Sequence, residues 1–282
     1  MSKRLIALGV VLAAALGGAA LMFLDGASPV ASKEAEPQQE SHLVDFSHWA
    51  AVLVAGDYRA HNGAPSKVFD NGRRDLGKAF AKIGFAPANM LEYSVDYDEG
   101  TQHASVPEIA AGLHATAAKA QGGCLMYFTS HGTPQGMVIG DAILTPNQMR
   151  DMVGSACGER PTVVVMSACY SGLFVASLQG PNRIVMTAAR PDRTSFGCGE
   201  MDHYTFFDDC FLRAMPMAGD FPGLGSLVQQ CVAEREVQMK ATPPSEPQVN
   251  VGPNMVFTLR WRDTPPVLPA GAPASGFPRQ PT

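Results

Sequence analysis

Apolar runs and helically spaced apolar positions alternate along most of this chain. Trp49 to Ala55 is seven apolar residues in a row, closed by Gly56 and Asp57, the pattern of a strand covered on both faces. Leu76, Ala79, Phe80 and Ile83 then recur at helical spacing within residues 70–83, and Gly84 ends that stretch. A second strand is predicted over 90–95, and a second helix over 106–120 with Ile109, Leu113 and Ala117 on one face. Further strands are predicted over 124–129, 162–166 and 183–187, with a helix starting at the Thr145-Pro146 cap. Helices near 204–215 and 224–240 and a last strand near 255–259 complete the pattern. Strand and helix in this alternation predict an α/β fold, with a twisted, mostly parallel sheet between two helical layers.

The two ends of the chain read differently. Lys3 and Arg4 precede an uncharged stretch, residues 5–24, long enough as a helix to span roughly 30 Å. Residues 1–31 are therefore expected to act as an export signal: either a retained membrane anchor, or a signal peptide cut near the small residues Val30-Ala31-Ser32. Positive charge held inside puts the remainder outside the cytoplasm, in a periplasmic or other extracytoplasmic space. Residues 32–41 are a polar linker, residues 42–262 one folded domain, and residues 263–282 a loose Pro-rich tail.

Composition narrows the partners. The 282 residues are 17% charged and 46% apolar, with 28 glycines and 22 prolines, which suits a globular chain. A formal charge of −5 without a long Lys/Arg block provides no field for gathering phosphates, so nucleic acid is not an expected partner. Six cysteines in an exported chain imply disulfides. With Cys169 reserved for chemistry the remainder is odd, so at least one more stays free. Cys124 reads as packing on a buried strand, while Cys157, Cys198, Cys210 and Cys231 are left to supply one or two bridges. Cys198, His203 and Cys210 lack metal-site spacing, and Asp96, Asp98 and Glu99 read as a solvated turn, not a calcium loop. No metal or other cofactor is expected.

The reactive residues sit at two strand ends. The strand over 124–129 runs into Ser130-His131-Gly132, and the strand over 162–166 runs into Ser167-Ala168-Cys169-Tyr170-Ser171-Gly172. Their separation of 38 residues accommodates a crossover helix, which makes the strands parallel and lets both side chains face one crevice. An unperturbed thiol is mostly protonated at neutral pH; an adjacent imidazole corrects that by taking its proton. The backbone N–H groups of Gly132 and Cys169 would hold an oxyanion. The alternative for each residue alone is a buried cysteine and a surface histidine.

These residues resemble a known family. Tyr127-Phe128-Thr129-Ser130-His131-Gly132 and Ser167-Ala168-Cys169-Tyr170-Ser171-Gly172 are similar to the two catalytic motifs of legumain-type cysteine peptidases. That family includes the catalytic subunit of the glycosylphosphatidylinositol transamidase and is related to caspases and metacaspases. The resemblance extends over 48–56 and 187–198, and Met201-Asp202-His203-Tyr204-Thr205-Phe206-Phe207 is closest to the transamidase subunit. It implies a caspase-like three-layer sandwich, a Cys169–His131 dyad, an acyl-enzyme intermediate and a peptide or protein substrate cut after Asn or Asp. Asp202 corresponds to a pocket acid of legumain. Ser167 stands where legumain has a glutamate and metacaspases an aspartate, so one pocket charge is missing. A pocket arginine is expected from Arg59, with Arg73 and Arg74 competing for the role, and Asn71 is expected either to orient the imidazole or to cap a helix. Legumain's C-terminal activation segment has no counterpart expected here. Two further readings stand beside the peptidase: an amide transferase using the same intermediate, and a catalytically silent binding module. The sequence leaves the oligomeric state open.

Overall fold

The computed structural model describes residues 43–96 and 100–263. The expected anchor or signal, the linker, the tail beyond Asp263 and the Asp98-Glu99 portion of the turn lie outside these residues. Among the described residues no helix is long and apolar enough to cross a membrane.

The strands are β1 (Trp49–Ala55), β2 (Met90–Ser94), β3 (Gln102–His103), β4 (Gly123–Thr129), β5 (Gly132–Thr133), β6 (Gly136–Ile139), β7 (Ala142–Leu144), β8 (Thr162–Ser167), β9 (Arg183–Thr187) and β10 (Gln248–Val251). The helices are α1 (Val68–Lys82), α2 (Val106–Lys119), α3 (Pro146–Cys157), α4 (Val175–Leu178), α5 (Phe206–Ala214) and α6 (Phe221–Met239). Seven strands form one sheet in the order β10-β9-β8-β4-β1-β2-β3. Only β10 runs antiparallel to its neighbour. Helices on both faces make the expected three-layer α/β sandwich.

The period of two along each strand decides which layer each side chain joins. Ala51 and Leu53 of β1 pack with Leu76 and Phe80 of α1, Phe211 of α5 and Leu224 of α6. Their neighbours Ala50, Val52 and Val54 pack on the other face with Ile109 and Leu113 of α2 and Met149 and Val153 of α3. A strand buried on both faces must therefore be apolar throughout, and β1, β4 and β8 are fully buried along their length. The helix starts are capped as their sequences allow. Thr145 and Gln148 form a reciprocal capping box at α3, while Ser105 accepts from Glu108 N at α2 and Thr205 from Asp208 N at α5.

Two sequence expectations are corrected. The edge strand is β10, at 248–251, whereas Met255 and Leu259 are buried plugs after it. Their spacing of four buries both without alternation, so the run had no strand period. Cys124 is bonded to Cys157, tying β4 to the end of α3, and is not packing alone. The second bridge joins Cys210 of α5 to Cys231 of α6, leaving Cys169 and Cys198 as free thiols. The strands β5, β6 and β7 form a small antiparallel sheet inside the crossover that follows His131; each is too short to carry a hydrophobic period.

The Cys210–Cys231 bridge closes a chain segment of 21 residues. Replacing both cysteines by alanine is expected to lower unfolding free energy by about 3 kcal/mol, read from urea titration under non-reducing conditions.

Candidate active site

Pairing of β4 with β8 sets the geometry of the site. Thr129 is the register partner of Ser167, and Ser130 N–H continues the ladder by donating to Ser167 O at 3.1 Å. His131 and Cys169 each lie two residues beyond that matched pair, at the same end of adjacent parallel strands. Gly132 lies directly against the peptide of Cys169: a Cβ there would stand 1.9 Å from Cys169 O and 3.0 Å from Cys169 N. Only a glycine fits. Val138 N–H donates to His131 O, so Gly132 faces Met137 as a non-hydrogen-bonded pair and its own N–H is turned away from β6.

The imidazole of His131 is half-buried and held from two sides. Its Nε2 lies 2.8 Å from the carbonyl oxygen of Arg59, and its ring meets the edge of Phe69 at 5.0 Å between centroids. A carbonyl oxygen can only accept, so Nε2 carries the proton and Nδ1 keeps its lone pair for exchange. The carbonyl is aimed by a turn built around the buried Asp57. Its Oδ1 accepts from Tyr58 N (2.7 Å), Arg59 N (3.1 Å) and Arg59 Nε (2.9 Å), while Oδ2 accepts from Arg59 Nη2 at 3.2 Å. An isolated bridge from Arg59 to Pro65 closes the loop, and Phe69 follows on the first turn of α1.

Cys169 sits at a sharp strand-to-helix turn. The next residue, Tyr170, has φ 57°, a left-handed conformation uncommon for a side chain of its size, and its N–H donates to Arg193 O at 2.7 Å. Ser195 N–H donates to Cys169 Sγ at 3.2 Å, with the Ser195 hydroxyl and carbonyl oxygens at 3.6 Å. Gly172 serves packing instead of anion binding, since a Cβ there would stand 2.6 Å from Pro191 and 2.7 Å from Gln248.

A pocket of about 370 Å³ is formed by chain neighbours of these residues, though neither His131 nor Cys169 lines it. It is lined by Tyr58, Pro65 and Asn71 on one side and by Asp96, Glu200 and Asp202 on the other, with Lys67 paired to Asp96. Each wall is continuous with a segment already described. Tyr58 and Pro65 flank the carbonyl that holds His131, Asn71 lies half a turn beyond Phe69, and Asp202 ends the loop that begins at Ser195. Asp202 Oδ2 accepts from Gly199 N–H at 2.7 Å, which fixes the carboxylate in the wall. Burial pushes the Cys198 thiol up to about 11, with the charges of Cys169 and Asp202 adding to the effect. It therefore stays protonated beside Cys169.

The family model described as the peptidase C13 family, the legumain family, matches residues 108–221, a span holding both strand ends and Asp202. Caspase-1 from Spodoptera frugiperda, a crystal structure, superposes with a TM-score of 0.55 at 14% identity, covering 78% of this chain and 93% of that one. Over residues 108–221 the chain is similar to the legumain-type cysteine peptidases, and its fold is caspase-like. No curated protein sequence matches it.

Several residues carried over from legumain-type peptidases have other partners here. Ser167 is fully buried beneath the site, its hydroxyl 3.4 Å from that of Thr205, and lines no pocket. Its alternation along β8 turns it into the helical layer. Arg59 contributes its main-chain carbonyl, while its guanidinium is committed to Asp57. Arg73 is buried against Asp70 and Glu92, and Arg74 bonds Asn71 and Asp75, so none of the three arginines lines the pocket. Asn71 bonds His203 and Arg74, not His131; its Nδ2 lies 3.2 Å from His203 O. Asp202 does line the pocket. Four contributors were missed in the sequence: Asp57, Phe69, Ser195 and the Arg59 carbonyl. The acid directly after a buried strand and its glycine was a signal for the first, but a main-chain acceptor leaves no residue signature.

Gly132→Ala is expected to force the Cys169 turn outward, lowering stability by about 1–3 kcal/mol and slowing alkylation of Cys169 by iodoacetamide. Thermal melting and the rate of thiol labelling measure the two effects.

Proposed function

We propose that this domain is a cysteine endopeptidase in which Cys169 is the nucleophile and His131 manages the protons. The observation that carries the reading is the Gly132–Cys169 apposition at the ends of β4 and β8, with Nδ1 of the imidazole left available by the Arg59 carbonyl. His131 Nδ1 takes the thiol proton, and the thiolate attacks a peptide carbonyl. The N–H groups of Gly132 and Cys169 receive the oxyanion, each donor being worth on the order of 10²–10³ in rate. The imidazolium then protonates the leaving amine, and a water activated by the neutral imidazole hydrolyses the thioester, restoring the thiol. The similarity to a peptidase family over residues 108–221 supports peptide or protein substrates.

The pocket is the proposed seat of the P1 side chain. Its carboxylates outnumber its cations, since Asp96, Glu200 and Asp202 stand against Lys67 alone, and all three arginine candidates are bound elsewhere. A P1 amide or cation would donate hydrogen bonds to Asp202, whereas a P1 carboxylate would meet like charge, a cost of several kcal/mol. Asn and basic residues are favoured over Asp. Export is part of the proposal: the two disulfides support an oxidising compartment, as does the charged-then-apolar start of the chain.

A fluorogenic peptide library is expected to be cut by the wild type and left intact by Cys169→Ala and His131→Ala. Substrates with Asp at P1 should be at least about tenfold poorer in kcat/KM than those with Asn, Lys or Arg, and Asp202→Asn should narrow that gap. No cleavage of any library member by the wild type would defeat the reading; adducts formed with added hydroxylamine in place of hydrolysis would redirect it to amide transfer.

A further inference from the structure

Asp208, on the first turn of α5, has no exposure to solvent and no place in the chemistry above. Its carboxyl accepts from the Tyr127 hydroxyl at 2.7 Å and the Thr129 hydroxyl at 2.6 Å, both on β4. From β8 the Ser167 hydroxyl lies 3.4 Å from the hydroxyl of Thr205, which accepts Asp208 N–H at 3.0 Å. Room for the carboxyl is made on α1 by Gly72, where a Cβ would stand 2.6 Å from Oδ2. Burial raises the pKa of this acid, and the hydroxyl donors oppose the rise. A carboxyl without a cation beside it is an expensive way to fill a core, and an apolar side chain would be the more stabilising choice.

Its partners suggest what it does. Thr129 and Ser167 are register partners, each two residues before His131 and Cys169 respectively. The backbone ladder fixes which residues pair; Asp208, bonded to the Thr129 hydroxyl of β4 and linked through Thr205 to the Ser167 hydroxyl of β8, fixes the relative depth of the two strand ends from the side. We propose that Asp208 is a positioning residue that locks the ends of β4 and β8 together and so holds the imidazole and the thiol in reacting alignment. The inference rests on the dyad reading above. Displacements of about 1 Å at a reacting pair cost on the order of 10²-fold in rate, so a clamp of this kind has a measurable effect on turnover.

The test compares Asp208→Asn, Thr129→Val and Thr129→Ser with the wild type in two measurements: kcat and KM on the best library peptide, and the pH profile of Cys169 alkylation by iodoacetamide. Asp208→Asn and Thr129→Val are expected to lower kcat by roughly 10- to 100-fold with KM within about twofold, and to shift the alkylation midpoint. Thr129→Ser keeps the hydroxyl and should stay within about threefold of wild type. Folded Asp208→Asn with wild-type kcat and an unshifted profile overturns the proposal. Equal losses in Thr129→Val and Thr129→Ser overturn it too, because they would show packing alone. Should Asp208→Asn not fold, the Thr129 pair decides. A wild type that cleaves no peptide defeats the peptidase reading, while the alkylation profiles still decide the clamp: coincident curves reject it and displaced ones support it.

Discussion

Everything in this domain that bears on chemistry follows from the parallel pairing of β4 with β8. Each strand is buried on both faces, so neither can slip by one residue without turning its apolar side chains into the wrong layer. The register is thereby fixed by the core, and the two loops that leave the carboxyl ends inherit it. Gly132 and the Cys169 peptide approach more closely than any side chain would permit, and that contact is a direct product of the pairing.

Around this axis the supporting elements divide the work by layer. On one face α1 brings Phe69 to the imidazole and α5 brings Asp208 beneath the strands, while the bridge between Cys210 and Cys231 binds α5 to α6. On the other face the bridge from Cys124 to Cys157 fastens β4 to α3. The strand that delivers His131 is thus constrained covalently near its start and by hydroxyl bonds near its end. The crossover between β4 and β8 includes the β5–β7 sheet, which covers the histidine side through Val138 N–H on His131 O.

Much of the framework was legible in the sequence because burial on two faces writes itself as unbroken apolar runs. Residues 49–55, 162–166 and 183–187 were recognisable from composition alone, as was the α3 start from Thr145-Pro146. Legibility failed where the determining interaction is not periodic. The edge strand β10 has only two apolar residues, Val249 and Val251, whereas Met255 and Leu259 looked strand-like because they are buried. In the candidate site, motifs point to His131, Cys169, Gly132 and Asp202, and the first three meet at the ends of β4 and β8. Ser167 could not be assigned correctly, because which face of β8 it occupies depends on the layer it packs into. The roles expected of Arg59 and Asn71 failed for a related reason: their side chains satisfy nearer partners, Asp57 and His203, than the ones the resemblance offered.

The bond from His131 to Arg59 is made to the main chain, and this has an evolutionary and experimental corollary. A substitution at residue 59 removes the guanidinium bonds to Asp57 but not the acceptor itself, and Asp57 keeps the Tyr58 and residue-59 N–H groups that shape the turn. The group that orients the imidazole is encoded by the shape of a turn around Asp57, which makes that acid the heritable part of the device.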